Sequence, residues 1–177
     1  MQFGELLDRL FKACLLVSGR GAVEGFFEHG RDARGILHPV TDVLLNESLI
    51  RRLIAEYCHH YDDARSEAFA SLFTDDATFT VFGTTHRGRQ AIHDTIGRQR
   101  PGMPPGQHVT YNSVIDIADD TLTARAWTDF LYMSKTDEGF RTSNAGRYRD
   151  RLVRESDRWR FAARTIVFLS DPVPEDA

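Results

Sequence analysis

Cysteine is nearly missing from this sequence: Cys14 and Cys58 are its only two. Two are too few for a disulfide framework, and neither stands in a CxxC pair that would hold zinc, so reduced thiols in a cytoplasm are expected and no metal site. A run of about twenty apolar residues is also lacking, which leaves no membrane-spanning helix to expect. The one targeting candidate, Leu6 to Val17, is interrupted by Asp8, Arg9 and Lys12 and is followed by no small-x-small cleavage site. It therefore reads as a short amphipathic helix rather than a signal. No charge of one sign dominates, because 22 Lys and Arg against 26 Asp and Glu leave a formal net charge of -4. Nucleic-acid binding needs a basic face to neutralise phosphates, and here the arginines are scattered, so no nucleic-acid partner is expected.

What is present is an ordinary globular composition, 41% hydrophobic and 27% charged over 177 residues. That length suits one domain that buries roughly 70% of the surface of its unfolded chain. The first forty residues differ from the rest. Gly19, Gly21, Gly25, Gly30 and Gly35 puncture the segment at intervals that suit neither helix nor strand. Residues 1–41 are therefore expected to form a loosely packed, partly helical N-terminal extension, and residues 42–177 the folded domain.

From Asn46 the pattern sharpens. Asn46 or Ser48 can cap a helix, and Leu49, Ile50, Leu53, Ile54, Tyr57, Cys58 and Tyr61 recur at helical spacing. A second helix follows over Glu67 to Phe73, ended by Asp75-Asp76. Ala77 to Phe82, aromatic and β-branched, reads as a strand, and Arg89 to Arg100 as a third helix. Pro101, Gly102, Pro104, Pro105 and Gly106 then impose a loop. Beyond it come four extended segments, Gln107 to Ile117, Thr121 to Ser134, Phe140 to Glu155 and Arg158 to Leu169, joined by connectors of hairpin length. Consecutive hairpins make an antiparallel sheet, and helices placed ahead of it cover one face. The expected fold is α+β: a cone-shaped, curved mixed or antiparallel sheet wrapped around three helices, with a ligand cavity on the concave side.

In such a cone the polar residues aimed inward carry the chemistry. Asp62 ends the first helix, five residues after Tyr57. His108 opens the first long strand, and alternation puts Asn112 on its face. A carboxylate bonded to one ring nitrogen fixes the tautomer and makes the other nitrogen a better base near neutral pH. Trp127 and Asn144, both mid-strand, are candidates to line the pocket, with core packing the alternative for Trp127 as for Trp159. Tyr148 suits either role. His59 and His60 lie off the apolar face, so at least one of them reads as solvated, while His86 and His93 lack partners at metal-ligand spacing.

From Asn46 to Ser170 the chain resembles the SnoaL-like group of the nuclear-transport-factor-2-like superfamily, which includes polyketide cyclases, scytalone dehydratase, bile acid 7α-dehydratase and hexachlorocyclohexane dehydrochlorinase. The resemblance is carried by Tyr57 to Asp62, by Leu72 to Ala77 leading into Thr78-Phe79-Thr80, and by Gln107 to Asn112. It extends through Gly146 to Asp150 and Arg158 to Arg164. It implies that Asp62 orients His108, that His108 abstracts a proton as a leaving group departs, that Tyr57 donates a hydrogen bond, and that Arg164 assists the leaving group. Phe79 stands where the dehydrochlorinase has a tryptophan, and the serine and asparagine that close the scytalone dehydratase site have no clear match.

The expected function is thus a cofactor-independent, dehydratase-like lyase or isomerase acting on a small hydrophobic oxygenated ring compound. Asp62, His108, Tyr57 and Arg164 would be catalytic, and Phe79, Asn112, Trp127 and Asn144 would bind substrate. The alternatives are a non-catalytic binding or dimerisation module, or an accessory subunit resembling the small subunit of ring-hydroxylating dioxygenases. Exposed sheet faces bearing Trp and Phe make a homo-oligomer, dimer or trimer, the expected state.

Overall fold

The computed structural model describes residues 39–172. The expectations for Leu6 to Val17 and for the glycine-broken stretch after it lie outside the described residues. The chain divides into the units Met1–Leu44 and Leu45–Ala177, and the second is described by itself.

Helix α1 spans Pro39–Asp62. It opens on a proline, which the first helical position tolerates because its N–H would be unpaired in any case. Asn46 is therefore not the cap that its residue type suggests. It is buried one turn and more inside the helix, where its Oδ1 accepts the Trp159 indole N–H at 3.0 Å. Ile50, Leu53, Ile54, Tyr57 and Cys58 form the buried stripe, and Glu47–Arg51 and Arg52–Glu56 pair along the wet side. The helix stops in a Schellman turn, with the Arg65 N–H on the His60 carbonyl, the Ala64 N–H on the Tyr61 carbonyl, and Ala64 at φ 57°. That stop makes Asp62 the last helical residue.

Helix α2 is Ser66–Ser71, and strand β1, Phe73–Val81, follows at once. Asp75 and Asp76 do not terminate a helix. They sit exposed in an irregularity of β1 between Phe73 and Thr78, with Asp75 paired to Arg89. Strand β2, Thr84–Arg87, which the sequence pattern does not announce, returns through the two-residue turn Phe82-Gly83. The expected third helix is only a short α3, Arg89–Ile92, which widens into a π turn, His93–Gly97, and then a 3₁₀ turn, Arg100–Gly102.

The last four strands match their hairpin pattern: β3 is Gly106–Ile117, β4 Thr123–Thr136, β5 Gly139–Glu155 and β6 Arg158–Phe168. The six strands form one mixed, open sheet in the order β2-β1-β6-β5-β4-β3, antiparallel except where β1 runs beside β6. The sheet curls so that residues of both edge strands, His86 and His108, line a single cavity. Beneath it lies an aromatic core in which the Tyr57 ring meets Phe69, Phe73 and Phe161 at centroid distances of 5.1, 6.3 and 5.8 Å. Each buried ring of this kind contributes roughly 1.5–3 kcal/mol through apolar area removed from water. No helix among the described residues is long and apolar enough to cross a membrane.

Candidate active site

The Schellman stop holds Asp62 at the helix end, and the Asp62 carboxylate reaches the start of β3 with both oxygens. Oδ1 lies 2.7 Å from His108 Nδ1, and Oδ2 accepts the backbone N–H of His108 at 2.8 Å. A carboxylate offers no proton, so Nδ1 carries the ring N–H and Nε2 is left as a bare lone pair. His108 in turn lines a cavity of about 500 Å³. Only 10% of its side chain and 12% of that of Asp62 are exposed, which keeps water from competing for the pair.

Aromatic rings enclose the imidazole. Tyr132 lies 4.6 Å away between centroids, Tyr61 5.4 Å, and Tyr57 6.3 Å. Burial raises the phenols of Tyr57, Tyr61 and Tyr132 above their ordinary value of 10.0. At neutral pH they are therefore O–H donors, not phenolates. Tyr61 donates to the Met103 sulfur at 3.5 Å. The remaining wall is largely apolar, with Phe79, Val81, Ile96, Phe130 and Phe168, and among the described residues no Asp, Glu, Lys or Arg lines the cavity.

Of the other expected ligand contacts, Phe79 and Asn144 line this cavity. Asn112 does not. A bulge between Tyr111 and Ser113 inserts Asn112 as the extra residue at φ 47°, which flips the alternation and sends its amide outward to Asp129 at 3.4 Å. Ser113 takes the inward position and accepts from Thr128. Trp127 also faces away, since its β4 neighbours Ala126 and Thr128 are the buried ones.

Arg164 differs most from its expected place. A register shift in β6 opposite Leu152 turns it inward, yet it lies wholly buried and forms a two-pronged pair with Asp150 at 2.8 and 2.7 Å. Its guanidinium carbon sits 4.0 Å from the Tyr57 ring centre and 4.2 Å from that of Tyr148. Burial alone works against the cation, but the Asp150 carboxylate more than offsets this and raises Arg164 above its ordinary value. The charge thus stands behind two rings rather than in the cavity, so it acts through their faces and not by touching a leaving group.

Sequence reasoning passed over Tyr61, Tyr132 and His86 as site residues. Tyr132 was within reach, because Ala124, Ala126, Thr128 and Phe130 ahead of it on β4 set an inward alternation that it continues. Among the described residues no group of three or more His, Cys, Asp or Glu side chains is placed to hold a metal ion.

A family model for the SnoaL-like domain matches residues 42–165, more than half of the chain. No curated protein matches the sequence. Among solved structures, a Mycobacterium tuberculosis protein of unknown function is similar at 25% identity and TM-score 0.70, over 78% of this chain and 79% of that one. An NTF2-like protein with a cystatin-like fold from Novosphingobium aromaticivorans is similar at 24% identity and TM-score 0.67, over 73% and 86%. A candidate scytalone dehydratase from the same organism shares the fold at 20% identity and TM-score 0.65, over 77% and 93%. The open mixed sheet curled around α1, together with the match across residues 42–165, makes this chain a member of the SnoaL-like family, with an NTF2-like fold.

Proposed function

We propose that the cavity performs acid-base elimination or isomerisation on an uncharged, oxygenated ring compound, with His108 as the general base. The observation that carries this reading is the double grip of Asp62 on His108, 2.7 Å to Nδ1 and 2.8 Å from the backbone N–H, which leaves Nε2 as the free nitrogen of a ring that lines the cavity. For a β-hydroxy ketone the steps balance as follows. Nε2 removes the proton α to the carbonyl, and the electron pair of that C–H bond forms the new C=C bond. The β C–O bond breaks, and the departing hydroxide takes a proton from the imidazolium and leaves as water. The phenols of Tyr57 and Tyr132 are the donors available to the carbonyl oxygen as it gains negative charge.

The lining supports the substrate class. With no cationic or anionic side chain among the described residues of the wall, a phosphate or carboxylate would be buried there without a partner, at a cost of several kcal/mol. The aromatic side chains of Phe130, Tyr132 and Phe168 in the wall suit an apolar ring system.

Dehydration of hydroxytetralones, followed by the absorbance of the naphthol formed, tests the reading. Turnover by the unaltered protein is expected, with a loss of about 10²- to 10⁴-fold in His108→Ala and an unchanged circular dichroism spectrum. Full turnover by His108→Ala would remove His108 from the chemistry.

A further inference from the structure

The cavity holds a second histidine, whose tautomer is set by its neighbour. Thr95 lies in the π turn after α3, and its hydroxyl donates its single proton to the Ala91 carbonyl at 2.5 Å. The same oxygen is 3.0 Å from Nδ1 of His86. With its proton committed to Ala91, Thr95 Oγ1 accepts at that second contact, so His86 Nδ1 is the N–H and His86 Nε2 is a bare acceptor. His86 is half-buried and lines the cavity, and its Nε2 has no hydrogen-bond partner among the described residues.

The two histidines come from β2 and β3, the opposite edges of the sheet. Around His108 the phenols of Tyr57 and Tyr132 are the donors on offer, since Tyr61 gives its proton to Met103. At His86 the group on offer is an acceptor. A ligand that satisfies both ends carries a carbonyl at the His108 end and a hydroxyl at the His86 end.

We infer that His86 is a specificity-determining residue, whose Nε2 accepts the hydroxyl of an uncharged flat ring compound at a point remote from the reacting carbon. The inference deepens the reading above and rests on the cavity being the ligand site, but not on turnover there. A ketone or methyl ether in place of that hydroxyl leaves Nε2 desolvated and unpaired, and is disfavoured.

The test is equilibrium binding, which needs no catalysis. Affinities for 2-naphthol and for 2-methoxynaphthalene, which has no proton to donate, are measured by calorimetry for each protein. The ratio favouring naphthol is expected to fall by roughly three- to tenfold in His86→Leu, the worth of one neutral hydrogen bond, while affinity for the ether holds. His86→Gln, whose amide oxygen also accepts, recovers part of the ratio. Thermal melts of each variant confirm folding. An unchanged ratio in His86→Leu, loss of the ratio in His108→Ala instead, or no binding of either probe by the unaltered protein overturns the inference. Selective binding that depends on His86, joined to full turnover by His108→Ala, sinks the dyad alone and leaves this assignment standing.

Discussion

Asp62 breaks a local rule. It is the last residue of a helix, the end where backbone carbonyls gather negative charge and a carboxylate is disfavoured by roughly 0.3–1 kcal/mol. The two hydrogen bonds from His108 hold it there. Those bonds also predict what Asp62→Asn does. An amide oxygen still accepts the His108 backbone N–H, but the amide nitrogen then meets Nδ1 and must donate to it. Nδ1 becomes the acceptor and the ring proton moves to Nε2, the nitrogen that the reaction needs bare. The expected outcome is a folded protein with the opposite tautomer, read from imidazole ¹⁵N shifts, and turnover lower by about 10²- to 10⁴-fold. Retention of an unprotonated Nε2 in Asp62→Asn contradicts the role given to the carboxylate.

At the scale of elements, β1 and β2 join through Phe82 and Gly83, both at positive φ, 49° and 72°. This is the primed two-residue turn that the right-handed twist of a hairpin favours, and Gly suits its second position. A phenylalanine at the first is strained by about 1–3 kcal/mol. Its ring lies 75% exposed and stacks on Phe168 at 4.6 Å, at the edge of the cavity that both line. Phe82→Asn is expected to raise the unfolding free energy by about 0.5–1 kcal/mol in urea titrations, since Asn tolerates the left-handed region and little buried area is lost. The same change weakens binding of aromatic probes by removing part of the wall. A drop in stability beyond about 1 kcal/mol would mean that the turn carries no such strain.

Elements also mark where the sequence was legible. Helix α1 and the extents of strands β3 to β6 follow from periods of 3.6 and 2, and the meeting of Asp62 with His108 depends only on where α1 stops and β3 begins. What was hidden depends on departures from period. One extra residue at Asn112 and one register shift before Arg164 reverse which face is inside, and no residue type announces either. Strand β2 has only four residues, too few for alternation to register, and so His86 stood without context. The π turn that places Thr95 beside it is likewise invisible in a pattern that reads as plain helix.

Over the whole molecule the same aromatic core that shelters the dyad fixes how stability responds to alkali. Burial pushes the Cys58 thiol up to about 12 from its ordinary 9.0. Burial likewise lifts the Tyr57 and Tyr148 phenols well above 10.0. For each group the folded pKa is the higher one. Below about pH 9 both states hold these protons and stability does not depend on them; above it the unfolded chain ionises first, so the native state binds more protons and the unfolding free energy falls as pH rises. The slope is about 1.4 kcal/mol per pH unit for each group within its window, with Cys58 acting from about pH 9 and the two tyrosines joining from about pH 10. Urea midpoints measured at about pH 7.5, 9.5 and 10.5 are therefore expected to decline, and more steeply over the last step. Cys58→Ala should flatten the portion between about pH 9 and 10 and leave the later decline in place, because the phenols remain. A midpoint that stays level to about pH 10.5 in the unaltered protein would mean that these side chains reach water in the folded state, and that the hollow in which His108 works is wet.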